Sequence, residues 1–191
     1  MVVIVSFIIG ICLFFILVCK IGSEMVLKDV RNLYSEAIIS RKTYRNLVEN
    51  RIKKMDGYEF EDFCADIFRL NGYKVFQTKR TGDGGLDLIL NKDTYVEIKH
   101  YSENNTIGRP IVQKLIGACV TDNITKAIII TTSSYTTTAI ECMDTCKAVK
   151  VERWYMNEVL ELCDKSPYTV LEWLGYKRSY LKTLGILDKV S

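Results

Sequence analysis

The sequence predicts an α/β domain, a mixed β-sheet with helices on both faces, preceded by a transmembrane helix. Three observations carry this. Short strand-like segments between Tyr73 and His100 follow one another with only turn residues between them, as in an antiparallel meander. The run Ala127-Ile128-Ile129-Ile130 is apolar without alternation, the pattern of a strand buried on both faces. Segments with helical spacing flank that run, which suits parallel crossovers.

The first element is the N-terminal segment. From Val2 to Val18 there is no charged residue and fourteen positions are Val, Ile, Leu or Phe, enough to cross a hydrocarbon core of ~30 Å as a helix. No Lys or Arg precedes the run, and Leu17-Val18-Cys19-Lys20 is a poor cleavage site, so an anchor is favoured over a signal peptide. The flanking basic residues Lys20, Lys28 and Arg31 all follow the segment. The positive-inside rule then makes this a single-pass protein of the cell membrane with its C-terminal bulk in the cytoplasm. Seven cysteines without a C-x-x-C pair, and a single histidine, fit reduced thiols rather than a disulfide framework or a structural zinc site. A net charge of +3 permits a phosphate-bearing partner without requiring one.

The organisation that follows is an anchor at 1–19, a helical connector at 20–56, a compact domain at 57–163 and a C-terminal helical extension at 164–191. In the connector, Arg41, Lys42, Arg45, Arg51, Lys53 and Lys54 form a basic cluster, a solvated helix face or one that lies on anionic headgroups or DNA. The domain opens with a helix bearing the stripe Phe60, Phe63, Cys64, Ile67 and Phe68, ended by Asn71-Gly72. Strands are predicted over Tyr73–Gln77, Leu86–Leu90 and Thr94–His100, the last two joined through Asn91-Lys92-Asp93. Gly108-Arg109-Pro110 opens the next helix. After the apolar strand come a helix over Thr137–Lys147, a short strand over Val149–Val151 and helices from Trp154 to Leu162 and beyond Pro167. The order is αβββαβαβα.

The chemistry lies in Gly82-Asp83-Gly84-Gly85-Leu86-Asp87 and, ten residues after Asp87, Glu97-Ile98-Lys99. Strand alternation sends Tyr95, Glu97 and Lys99 to one face and Val96 and Ile98 to the other. Two carboxylates and a lysine brought together suit phosphodiester hydrolysis. Asp87 and Glu97 would ligate a divalent metal, Mg2+ or Mn2+, with the Ile98 carbonyl as a third oxygen. Lys99 would orient the water and offset charge in the transition state. The alternative is that Asp87 caps a turn, Asp83 shapes it, and Glu97 and Lys99 form an exposed cross-strand ion pair. His100 is placed in a structural role. Arg109 and Lys114 are candidates for phosphate contact.

Four blocks extend the pattern: Tyr58-Glu59-Phe60-Glu61-Asp62-Phe63 with Leu70-Asn71-Gly72-Tyr73-Lys74-Val75; Gly82-Asp83-Gly84-Gly85-Leu86-Asp87-Leu88; Val96-Glu97-Ile98-Lys99; and Ile130-Thr131-Thr132-Ser133 leading to Tyr135-Thr136 and Ala139. In order and spacing, residues 57 to about 162 resemble the Mrr-type (type IV) restriction endonuclease family of the PD-(D/E)xK superfamily. The resemblance implies a restriction-endonuclease-like core that cuts DNA, with Asp87, Glu97 and Lys99 as the catalytic set and Glu61 as an additional acidic position. It also implies that Gln113 is a polar residue facing the cleft. Where many relatives have glutamine, this chain has Glu97, which completes the acid-acid-lysine set; where many have a basic residue after the lysine, it has His100. A membrane-anchored, metal-dependent DNA endonuclease acting in restriction or defence is the expectation, and cutting both strands asks for a homodimer. The alternative is a membrane-tethered nucleic-acid-binding or sensing module with little nuclease activity.

Overall fold

The computed structural model describes residues 20, 22, 24, 41–78, 86–102, 104–177 and 179–180. The apolar segment at 1–19 and the turn Gly82-Asp83-Gly84-Gly85 lie outside the described residues. Among the described residues no helix is long and apolar enough to cross a membrane.

Helix α1 runs through 41–52 and leads into α2, Gly57–Leu70. A reciprocal cap starts α2: Asp56 Oδ1 accepts from Glu59 N at 2.8 Å, and Glu59 Oε2 accepts from Asp56 N at 2.9 Å. Its apolar stripe faces the sheet, and Gly72, at φ +85°, turns the chain out of the helix. Strands β1 (Val75–Gln77), β2 (Leu88–Leu90) and β3 (Thr94–Lys99) form the antiparallel meander. Each strand is shorter than its predicted span, although backbone bonds run on past the ends, as from Thr78 N to Asp87 O and from Asp87 N to Val96 O. Asn91 and Lys92, both at positive φ, make the β2–β3 turn, closed by Asp93 N donating to Leu90 O at 3.0 Å.

Two-residue strands β4 (Thr106–Ile107) and β6 (Ser134–Tyr135) pair with each other as a separate parallel ribbon. They are too short to show any periodicity in sequence. Helix α3 (Arg109–Thr121) crosses over to β5 (Lys126–Thr131), and α4 (Thr137–Thr145) crosses over to β7 (Lys150–Trp154). Both crossovers are parallel, and the main sheet has the order β1-β2-β3-β5-β7. Strand β7 extends three residues beyond its predicted end because register pairing with β5 continues to Ile130↔Trp154. Helices α5 (Met156–Cys163) and α6 (Pro167–Trp173) follow.

The sheet divides two cores. One side packs Leu88, Leu90, Val96, Ile98, Ile128 and Ile130 against α2, α5 and α6, and also against Tyr44, Val48 and Ile52 of α1. The other packs Tyr95, Ala127 and Ile129 against Val112, Leu115 and Cys119 of α3 and Ala139 and Met143 of α4. α1, expected as a connector, thus lies in the core, and its edge is fastened by long-range contacts. Arg41 and Arg45 both reach Asp164 Oδ2 at 2.6 Å, and Tyr44 OH donates to Cys163 O at 2.9 Å. Cys64, Cys119 and Cys163 are buried free thiols, and Cys142 and Cys146 are half-buried ones.

Candidate active site

Asp87 sits where the chain enters β2. Its N–H donates to Val96 O at 3.0 Å, and its carbonyl accepts from Thr78 N, also at 3.0 Å. Thr78 Oγ1 additionally donates to Leu86 O. The two stems of the glycine turn are thereby closed on each other, which fixes the Asp87 backbone. Its carboxylate points across to β3, where Oδ2 accepts from Ile98 N at 2.6 Å.

Glu97 and Lys99 project from β3 toward α3. This side of the strand is covered: Tyr95 is 7% exposed and Glu97 only 4%. The reason is the parallel crossover, which lays α3 over β3. Tyr95 OH donates to Asp122 Oδ2, at the C-cap of α3, at 2.6 Å. About two turns earlier on the same helix, Lys114 comes close enough for its charge to favour ionised Glu97. The reading of Glu97 and Lys99 as an exposed ion pair is thereby overturned.

The Lys99 ammonium lies among three groups: 2.5 Å from Glu97 Oε1, 3.0 Å from the Ile98 carbonyl oxygen and 3.7 Å from Asp87 Oδ2. The three oxygens that the sequence nominated as metal ligands therefore converge on one point. Burial pushes the Glu97 carboxyl up to about 7, with the Asp87 charge adding to the shift; the hydrogen bond and charge of Lys99 oppose it without cancelling it. For Lys99, burial works against the charged form, but Glu97 and Asp87 outweigh it and hold the ammonium above its ordinary value. Glu97 Oε2 is buried without a hydrogen-bond partner.

An orphaned carboxylate oxygen beside a set of hard oxygen donors fits Mg2+ or Mn2+, which Asp87, Glu97 and the Ile98 carbonyl would hold. Among the described residues no group of three or more His, Cys, Asp or Glu side chains is suited to hold a metal.

Glu61 is half-buried on α2, one turn before Cys64. The Cys64 thiol is raised by its burial and further by Cys163, Glu61 and Asp87, so both carboxylates approach that thiol. Arg109 and Gln113 are exposed on the first turns of α3, and Lys114, also exposed, is the one of the three whose charge registers at Glu97. His100 turns to the other face, as its place in the strand implied. Its Nε2 bonds to Ile52 O at 2.9 Å, and its ring meets Phe60 edge-on at 5.1 Å. It serves as a joint between β3 and the end of α1.

Two positioning residues had no role in the sequence reading. Thr78 fixes Asp87, as described. Thr132 holds the chain beyond Lys99: its N–H donates to Lys99 O at 3.3 Å, and its Oγ1 both accepts from Tyr101 N and donates to Tyr101 O at 2.8 Å. The only signal was a pair of threonines ending an otherwise apolar strand.

A family model described as Mrr_cat, restriction endonuclease, matches residues 52–163. The uncharacterized protein y4cE of Sinorhizobium fredii is 27% identical over 110 residues, 54% of this chain and 28% of that protein. The type IV methyl-directed restriction enzyme EcoKMrr of Escherichia coli is 27% identical over 127 residues, 61% of this chain and 38% of that protein. The chain thus spans well under half the length of either relative. Among solved structures, the DNA modification-dependent restriction endonuclease AspBHI shares the fold at a TM-score of 0.53 and 20% identity, over 71% of this chain and 39% of that one. Matched by one family model over more than half of its length, the chain belongs to the restriction endonuclease family Mrr_cat.

Proposed function

We propose that this chain is a Mg2+- or Mn2+-dependent endonuclease that hydrolyses DNA phosphodiester bonds, restricts foreign DNA, and is held at the cell membrane by residues 1–19 with its domain in the cytoplasm. The observation that carries the chemistry is the convergence of Asp87, Glu97 and the Ile98 carbonyl around the Lys99 ammonium, with Glu97 Oε2 buried and unpartnered. Family membership supports DNA cleavage, and the name of EcoKMrr points to methylated DNA as the substrate to try first.

In this reading Asp87, Glu97 and Ile98 O hold the metal. When bound, the ion polarises the phosphodiester and lowers the pKa of its water. Glu97 would have to be ionised to hold the ion. The Lys99 ammonium, the one cation at these oxygens among the described contacts, would stabilise negative charge developing on the phosphate. Glu61 supports the carboxylate side, and Arg109, Gln113 and Lys114 on α3 meet the DNA backbone. A homodimer would supply one site per strand.

The full chain in detergent is expected to nick or cut methylated plasmid DNA with Mg2+ or Mn2+. Lys99→Ala and Asp87→Ala should each lower the rate by about 1000-fold or more. Identical behaviour of wild type and both variants, across methylated and unmethylated DNA, would sink the assignment.

A further inference from the structure

Beside the catalytic residues the molecule carries a second concave site that the hydrolytic chemistry does not use. Between the ends of α1 and α6 and the first turn of α2 lies a cavity of about 310 Å3, lined by Arg51, Lys54, Met55, Glu59, Trp173 and Gly175. That volume is at the lower end of ordinary small-ligand sites.

Its walls are fixed. Arg51 donates from Nε and Nη2 to the Leu174 carbonyl at 2.9 and 2.6 Å, and its guanidinium lies 5.7 Å from the Tyr176 ring centroid. Gly175 has φ +81°, and a Cβ there would stand 3.1 Å from Arg51 Nη2, so a glycine lets the chain pass the guanidinium this closely. Glu59 has one carboxylate oxygen committed to Asp56 N. Arg51 and Lys54 line the cavity together with Trp173, which is 48% exposed although it is among the largest apolar side chains of the chain. An exposed aromatic plane with cations beside it, in a concavity, is the arrangement that binds an unstacked base together with its phosphate.

The cavity connects to the end of the catalytic strand through intervening residues, on the face of the sheet opposite Glu97 and Lys99. Ile52, adjacent to Arg51, is bonded to His100, the residue after Lys99, and Phe60, adjacent to Glu59, touches the same imidazole. We propose that this cavity receives one unstacked nucleotide of the DNA strand being cut, with its base against Trp173 and its phosphate at Arg51 and Lys54. The assignment rests on DNA being the substrate. It makes residues 51–59 and 173–175 a substrate-positioning site in addition to the hydrolytic one.

The test uses the full chain in detergent, an oligothymidylate of about 12 nucleotides without metal, and the plasmid cleavage assay in parallel. The oligonucleotide should quench tryptophan fluorescence in the wild type. Trp173→Ala should abolish most of the quench and weaken binding roughly tenfold, whereas Trp173→Phe should retain most of the affinity. Lys54→Gln should reduce the slope of log affinity against log salt by about 0.7. Wild-type cleavage accompanied by unchanged binding in Trp173→Ala and Lys54→Gln overturns the nucleotide site and leaves the nuclease reading intact. Trp173-dependent quenching without any wild-type cleavage does the reverse. Loss of binding to phosphatidylserine vesicles in these variants, with oligonucleotide binding unchanged, would make the cavity a membrane contact and also overturn the proposal.

Discussion

Glu97 keeps its proton to about pH 7, because burial and the neighbouring Asp87 disfavour its charge more than Lys99 favours it. Two outcomes follow. Metal must displace that proton, so affinity for Mn2+ should fall about tenfold between pH 8 and pH 6, with proton release visible by calorimetry in buffers of different ionisation enthalpy. In metal-free protein the sign is set by a folded value above the ordinary 4.5: the contribution to stability is complete below 4.5 and is lost as pH rises through 7. The loss amounts to as much as about 3 kcal/mol. Glu97→Gln should flatten that decline in urea titrations between pH 5 and 8; an unchanged slope would mean that the carboxyl titrates normally. The juxtaposition of Glu97 and Lys99 was legible in sequence because strand alternation places them on one face. The burial of Glu97 was not, since it depends on α3 lying across β3, which alternation within a strand cannot show.

Among elements, the end of β3 depends on its neighbour β5. Thr132, just past β5, grips the backbone of Lys99 and Tyr101 and so carries the parallel pairing beyond the last ladder residues, Lys99↔Thr131. Thr132→Val keeps the shape and removes the hydroxyl's two bonds. Cleavage should drop about tenfold or more through misplacement of Lys99, with a much smaller change in stability. Equal activity in the variant would show that Lys99 needs no such support. The meander and the buried strand β5 were legible from alternation and from an apolar run, which are local signals. Thr78 against Asp87 and Thr132 against Tyr101 were not, because each hydroxyl finds its partner only after the sheet has formed. The ribbon of β4 and β6 is two residues wide and leaves no pattern to detect.

For the whole molecule, one of the two cores spans nearly all of the described chain. Tyr44, Val48 and Ile52 from its beginning and Val170, Leu171 and Leu174 from its end are all buried against the same face of the sheet. A fragment of residues 57–163 should therefore lack a cooperative urea transition, while residues 41–180 should unfold in one. A sharp transition in the shorter piece would show that the outer helices merely rest on a self-sufficient domain. Arg41 and Arg45 lie more than a hundred positions from Asp164, so sequence spacing could not join these ends. The Lys99 ammonium has a further consequence at this scale. Seated among Glu97 Oε1, Ile98 O and Asp87 Oδ2, it serves the fold as an internal counterion, so the acidic pocket can assemble before any metal arrives. Protein stripped of metal with excess EDTA should then lose cleavage yet still melt cooperatively, unlike small zinc domains, which unfold when their metal is taken away. On the proposed metal-dependent chemistry, such a chain can fold completely before the ion that activates it binds.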